Sequence, residues 1–435
     1  MKAVLSCYTL TVAVFVPVSG WLADRFGTRR VFATAIAFFM LGSLAAGLSN
    51  SIHGLVASRI LQGFGGAMMV PVGRLTMVRT FPKSELVRAM TFVSMPAMIG
   101  PMLGPVLGGF IVHYLNWRVI FLVNLPVALI GLVMIFTHMP DYRSEGMRPL
   151  DWVGLVLFSS GLALLSYVLE VFGSHMLPGG AVAVLFAVAI GLLIAYAFHA
   201  RRVPHPLLRL GLFQIRTFRI AAVGGFTTRF GAAGVPFLLP LLYQIGLGYT
   251  AVQSALLILP QTLTALTVKA VIPRILGRFG YRAVLNSNTI AMGALIALFS
   301  TVGPSTPVGI IVLQAFAFGF CQSLQYTSMN TLVYADIGQN DASMAATMAS
   351  TLQQMSMSFG VAAASLTAAV FIPDALASNP QELISGIHSA LIALGAMTIL
   401  STVIFRGLKR DDGAEVSMRG DVAKVTRPST PQSPE

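Results

Sequence analysis

The sequence predicts an all-α membrane protein: two pseudo-symmetric helical bundles, two extra central helices and thirteen spans. Three observations predict it: a composition too apolar for water, a series of apolar runs long enough to cross a bilayer, and a loop that occurs twice. Only 10% of the 435 residues are Asp, Glu, Lys or Arg, while 56% are hydrophobic and the mean hydropathy is +0.80. Soluble proteins carry roughly a quarter charged residues, so no water-soluble fold of this length hides so much apolar surface behind so few charges. The net charge of +13 does not point to nucleic acid as a partner, because the basic residues stand singly between apolar blocks rather than on one face. Cys7 and Cys321 lie far apart in apolar runs and form neither a disulfide framework nor a metal site.

A hydrocarbon core of about 30 Å needs about 20 apolar residues per helix. On that scale the spans fall at 3–23, 31–50, 54–78, 89–112, 119–138, 151–172, 179–199, 220–245, 251–273, 283–302, 307–333, 343–372 and 385–405. Gly and Pro inside them are tolerated because neighbouring helices satisfy the released backbone groups. Lys and Arg then set the orientation. Alternate connections carry Arg25, Arg29 and Arg30; Arg74, Arg79, Lys83 and Arg88; Arg143 and Arg148; Arg201, Arg202, Arg209, Arg216 and Arg219; Arg274, Arg278 and Arg282; and Arg406 with the basic residues after it. Of the 28 basic residues only Lys2 and Arg118 fall on the other side, and Arg59, Arg229 and Lys269 fall inside spans. The bias places the C-terminus in the cytoplasm. An odd number of spans puts Met1 outside. Met1 opens directly into an apolar run without the features of a signal peptide, so the sequence reads as lacking a preceding helix.

The repeated loop joins the two bundles. Gly20-Trp-Leu-Ala-Asp24-Arg25-Phe26-Gly27-Thr-Arg29-Arg30 follows the first span, and Pro273-Arg-Ile-Leu-Gly277-Arg278-Phe279-Gly280-Tyr-Arg282 follows the ninth. Both place Arg-Phe-Gly-x-Arg at the same end of a helix running in the same direction. This divides the chain into an N-terminal bundle (1–138), two inserted central helices (139–205), a C-terminal bundle (206–410) and a disordered cytoplasmic tail (411–435). Parallel repeats around a central site are a transporter architecture.

The first of these loops resembles the signature loop of the major facilitator superfamily. Arg59-x-x-Gln62-Gly63-x-x-Gly66-Ala67 resembles a second motif of that family, and Gly100-x-x-x-Gly104-Pro105-x-x-Gly108-Gly109 resembles its antiporter motif. Asn116-Trp117-Arg118-Val-Ile-Phe121-Leu-Val-Asn124-Leu-Pro126 is similar to a segment of its fourteen-span drug:proton antiporters. So are Pro240-Leu-Leu-Tyr243-Gln244 with Gly248-Tyr249, and the inserted helix pair. The resemblance covers essentially the whole chain and implies a secondary transporter that exports amphipathic drugs or other small organic compounds by proton antiport. It implies no cofactor beyond the proton gradient, a location in the bacterial cytoplasmic membrane, and a periplasmic adaptor protein as a candidate partner. In that family's order the first span here is the second helix, and the helix before it usually carries an acid that is a candidate for proton coupling.

The residues themselves suggest roles. Gly20, Asp24, Arg25, Gly27, Arg29 and Arg30 form a candidate gating loop, in which Asp24 pairs with an arginine or caps a helix N-terminus in one conformation only. Arg59 lies within a span, where a charge is costly unless paired; with Gln62 and Gly63 beside it, it is a candidate for proton coupling or substrate binding, against plain snorkelling. Gly100, Gly104, Gly108 and Gly109 repeat at a helical spacing and predict a close packing stripe bent at Pro105. Arg229 stands deep in its span and is a candidate for proton coupling or substrate binding like Arg59, and Lys269 is expected to snorkel. Tyr243, Gln325, Asn330, Gln353 and Gln354 are candidate cavity residues, whereas the methionines near them more often serve as core.

Apart from Asp24 and Asp151 at span ends, the only acid inside a span is Glu170. This balance leans toward anionic or neutral amphipathic substrates, with an exporter of organic acids as the alternative to a drug exporter. The seven histidines lie in loops or at span ends, which argues against an intramembrane enzyme, and no phosphate-binding Gly-x-x-x-x-Gly-Lys loop occurs. A transport-dead membrane scaffold is the remaining reading.

Overall fold

The computed structural model describes residues 2–144, 149–172, 178–371 and 380–416. The first half contains α1 (Lys2–Phe15), α2 (Ser19–Phe26), α3 (Thr28–Leu48), α4 (Ile52–Thr80), α5 (Leu86–Tyr114), α6 (Val119–Leu122) and α7 (Asn124–His138). The inserted pair is α8 (Trp152–Phe172) and α9 (Gly179–Arg202). The second half contains α10 (Arg216–Ala232), α11 (Val235–Leu241), α12 (Ala251–Thr267), α13 (Ile272–Leu298), α14 (Val308–Leu332), α15 (Ala342–Phe371), α16 (Pro380–Leu400) and α17 (Thr402–Phe405). Among the described residues nine helical segments are long and apolar enough to cross a membrane. The other four expected spans are occupied by α5, α8, α15 and the broken segment α10–α11. Glu170, Pro105 and Gly109 lie outside the described side chains, and residues 417–435 lie outside the described residues.

Departures from straight helices have local causes. Pro17 supplies no backbone donor, and a 3-10 turn at Val16–Val18 joins α1 to α2. The expected span at 220–245 breaks after Ala232 and resumes as α11, which passes into a π-helical turn at Leu242–Gly246 containing Tyr243. Ser51 caps α4 by accepting from the Gly54 amide at 3.0 Å, and Thr250 with Gln253 forms a complete capping box on α12.

The duplicated loop is reproduced in the backbone. Gly27 adopts φ 91° and ψ 145°, and Gly280 adopts φ 75° and ψ 163°. These values are essentially restricted to glycine, and they occur at equivalent points of the two Arg-Phe-Gly-x-Arg segments. The arginines before them act alike too: the guanidinium carbons of Arg25 and Arg278 each sit 5.6 Å from the ring centroid of the next phenylalanine.

The two halves share one core toward the arginine-rich end. Val16, Val18, Leu75, Leu86 and Met90 of the first half join Phe158 and Tyr196 of the inserted pair and Leu276, Tyr281, Leu332 and Ala345 of the second half. A separate core, including Leu238, Leu257, Met292, Phe318 and Leu391, belongs to the second half alone. The polar contacts between halves follow the same pattern. Ser343 donates to the Gly20 carbonyl at 3.0 Å, Lys83 donates to the Ala335 carbonyl at 2.8 Å, and Lys269 donates to Ser94.

Three expectations are corrected. Lys269 does not snorkel: it is 4% exposed and ties the end of α12 to α5. Gly100, Gly104 and Gly108 do not make a close-packed stripe with the described residues, since a Cβ built on any of them meets none of their atoms within 4 Å; Met90 and Ser94, in the earlier turns of α5, meet the second half. Residues 411–416, assigned to the disordered tail, fold as turns against the second half. Asp412 there accepts from both Arg216 Nε, at 3.1 Å, and Arg216 Nη2, while Val416 is fully buried. That bidentate bond raises the pKa of the exposed-end Arg216 further above its ordinary value.

Gly27→Ala and Gly280→Ala are each expected to lower stability by about 1–3 kcal/mol. Gly191→Ala, which meets open space in the helical interior of α9, is expected to leave stability unchanged or raise it slightly. Thermal unfolding of the purified full chain checks all three.

Candidate functional site: a polar seam between the halves

The gating loop is tied mainly within its own half. Arg79 donates to Asp24 Oδ1 at 2.9 Å, and the Ser144 hydroxyl donates to the same oxygen at 3.0 Å. The Arg79 side chain is 11% exposed and that of Asp24 33%, so solvent weakens this pair less than an ordinary surface bridge. The strap 139–144 closes over the loop: Asp141 Oδ1 accepts from the Arg29 amide at 3.0 Å, and its carboxylate occupies the space a Cβ on Gly27 would need. Arg25 stacks over Trp21 and Phe26 and is exposed, as is Arg30. In this conformation Asp24 thus pairs with Arg79, while Gly20, pressed against Ser343, makes the contact with the second half.

A cavity of about 880 Å³ opens beside this loop, lined among others by Asp24, Arg79, Asp151, His205, Arg209 and Asn340. Asp151 organises its wall. It accepts from the Gly154 amide at 2.8 Å, capping α8, and from the Leu207 amide at 3.2 Å, and it lies 2.8 Å from His199 Nε2 of α9. One carboxylate thus fixes the inserted pair to the linker that leads into the second half. Arg209 pairs with Asp341 across this wall at 2.7 Å.

Arg59 forms a second cluster. Its Nη1 donates to Gln62 Oε1 at 2.8 Å, and its guanidinium carbon lies 4.5 Å from the centroid of the Tyr8 ring. Gln62, 1% exposed, passes the chain on by donating to Ser43. Gly63 permits this approach, because a Cβ there would meet the Tyr8 carbonyl at 2.8 Å. A cation held by an amide and an aromatic face is kept inside a span at reduced cost.

The third cluster crosses the seam. Arg74 Nη2 of α4 donates to Gln353 Oε1 of α15 at 2.6 Å. Arg229 of α10 donates through Nη2 to Asn330 Oδ1 of α14 at 2.8 Å and sits 5.1 Å from the centroid of the Tyr326 ring. The two guanidiniums are near enough to repel one another. Gln322 extends the polar surface by accepting from Gln261 at 3.2 Å.

The structure sorts the candidate cavity residues. Asn330 and Gln353 hold the seam arginines, and Gln354 is half-buried on the turn beside Gln353. Gln325 is instead a packing residue: fully buried, it donates to Thr289 at 2.7 Å and accepts from Asn288 at 2.9 Å. Tyr243 is also fully buried, in the core of the second half, so neither lines a cavity. Sequence reasoning missed Arg74 and Tyr334. Charge placement groups Arg74 with the cytoplasmic connection, although it lies inside the span at 54–78 and in α4; the helical register of Arg74 and Gln353, one on each side of the seam, leaves no sign in either segment alone.

Apolar rods of membrane length, arranged as two repeated halves around a buried polar seam, define a multi-pass membrane transporter rather than an enzyme. The profile of the Major Facilitator Superfamily matches residues 1–361, and the chain belongs to that superfamily. Its similarity to the MdtD protein of Shigella sonnei is 40% identity over 371 residues, 85% of this chain and 79% of that one. With MdtD of Pectobacterium atrosepticum it is 37% over 411 residues, covering 94% and 88%. Among solved structures, the human organic anion transporter MFSD10 superposes with a TM-score of 0.68 at 16% identity, over 93% of this chain and 83% of that one. The proton:xylose symporter XylE gives 0.62 at 14%, over 97% and 89%. These two likenesses concern the fold.

Asp24→Asn and Arg79→Gln are expected to be non-additive, with a coupling of about 1 kcal/mol that shrinks at high salt. A double-mutant cycle in thermal unfolding measures it; additive losses at every salt concentration would mean the pair holds nothing together.

Proposed function

We propose that this chain exports small amphipathic organic compounds in exchange for protons, by rocking its two halves about the polar seam. The observation that carries this reading is the Arg74–Gln353 bond, a polar contact between halves at a depth where apolar packing alone would hold a static protein. A contact that differs between two arrangements is what a carrier needs to bias one over the other. The MdtD relatives are named for multidrug resistance, which supports export of organic compounds. The resemblance of Gly100–Gly109 to an antiporter motif supports proton exchange. Moving a charge inward across 100 mV supplies about 2.3 kcal/mol, so the gradient is a sufficient source of energy.

The same reading places the chain in a bacterial cytoplasmic membrane. The arginine-rich end and the C-terminus face the cytoplasm, by the excess of Lys and Arg on that side. Since the halves join at that end, the conformation described here is the one closed toward the cytoplasm. A periplasmic adaptor protein is the partner that would carry cargo onward across a second membrane, a role taken from the family resemblance.

Everted vesicles carrying the full chain are expected to accumulate a xanthene dye when a proton gradient is imposed and to lose it when a protonophore is added. Dye uptake insensitive to the protonophore would remove proton exchange from this reading. Arg59→Ala is expected to abolish accumulation while leaving the amount of protein in the membrane unchanged; undiminished uptake would take the Arg59–Gln62–Tyr8 cluster out of the transport cycle.

A further inference from the structure

Two arginines on opposite sides of one seam, Arg229 buried and Arg74 half-buried, present an imbalance that the described side chains do not correct. Arg229 is 7% exposed. A guanidinium carries five N–H donors, yet among the described residues the hydrogen bonds of Arg74 and Arg229 to other side chains are one apiece, each to a neutral amide. The ion pairs among the described residues belong to Arg79, Lys83, His199, Arg209 and Arg216. Neither seam arginine has a carboxylate within ion-pair distance there, and each raises the electrostatic energy of the other. The hydroxyl of Tyr334, buried and in the field of Arg74, also lacks a hydrogen-bond partner among the described residues.

We propose that Arg74 and Arg229 are the two arms of a binding site for an organic anion, a carboxylate-bearing compound whose apolar body lies along the Tyr326 ring. The assignment rests on the reading of this chain as an exporter and supplies the substrate class for it. A carboxylate accepts two parallel bonds from a guanidinium, and such charge-assisted bonds are roughly twice as strong as those to a neutral amide. It would satisfy donors that Gln353 and Asn330 leave open and place a negative charge between two positive ones. It would also compete with Gln353 for Arg74. Occupancy of the site would then replace the Arg74–Gln353 contact between halves, so that binding and release of the seam are one event. A lipophilic cation placed there would meet two uncompensated positive charges, and binding would worsen the imbalance.

The test uses fluorescein and rhodamine 6G, xanthene dyes of opposite charge, with full-length protein in everted vesicles under a proton gradient. Fluorescein is expected to accumulate and rhodamine 6G not. Arg229→Gln and Arg74→Gln should reduce fluorescein uptake by about tenfold or more, the loss of a charge-assisted bond, with Arg229→Lys retaining more than Arg229→Gln. Because removing an arginine can disturb folding, Asn330→Asp and Gln353→Glu form the second arm. Each keeps both arginines and supplies an internal carboxylate, so the melting temperature should rise while fluorescein uptake falls by a similar factor. Accumulation of rhodamine 6G alone, or of fluorescein undiminished in Asn330→Asp and Arg229→Gln, overturns the anion site and leaves export standing. Accumulation of neither dye overturns both.

Discussion

A guanidinium inside a bilayer must find acceptors, and the organisation of this protein follows from where the arginines inside its spans find theirs. Arg59 finds them within the first half, in Gln62 and the face of Tyr8. Arg229 finds one within the second, in Asn330. Arg74 reaches across to Gln353. A polar bond of this kind is strong where water is scarce, but it can be exchanged for another. Apolar packing on the same seam can only be made or lost. The arginine-rich end thus holds together through contacts that a ligand or a proton can alter.

The two repeats share a backbone device and differ in how they are tied. Gly27 and Gly280 turn the chain at equivalent positions, and both arginine–phenylalanine pairs stack alike. The acid is not duplicated: Gly277 stands where the first repeat has Asp24. The first loop is consequently fastened to Arg79 and the 139–144 strap. The second is fastened from below instead, by Tyr281 bonded to Thr331 at 2.9 Å and covered by the turn at Gly413. Nearby, Arg216 and Asp412 hold the chain after α17. Two halves of one ancestry therefore carry different fastenings at the same end, which allows one to loosen without the other.

The inserted helices are a side support rather than a third wall of the seam. Helix α8 packs on α1 and α15, one from each half, and Ser159 donates to the Val14 carbonyl at 2.7 Å. Through Asp151 the pair is anchored to the linker at 203–208. A support that touches both halves constrains how they move relative to one another and walls the cavity beside the gating loop.

The sequence by itself determined the class of fold, because the length of an apolar run and the placement of Lys and Arg are answers to the thickness of the bilayer and the charge of its faces, and both are read one segment at a time. It also determined the repeat, since Arg-Phe-Gly-x-Arg carries its own backbone requirement at the glycine. Arg59 with Gln62 was legible for the same reason, as neighbours on one helix face. Only the tertiary structure decided which polar residues meet. Gln325 and Gln353 are the same residue type on neighbouring apolar helices, yet one closes a buried network with Asn288 and Thr289 and the other receives a cation from the opposite half. The glycines at 100, 104 and 108 have the spacing of a packing stripe yet meet no described residue within reach of a Cβ, because a stripe also needs a partner surface, which spacing alone does not supply. Contacts between distant segments depend on helix rotation and tilt, which lipid leaves unspecified and packing alone sets.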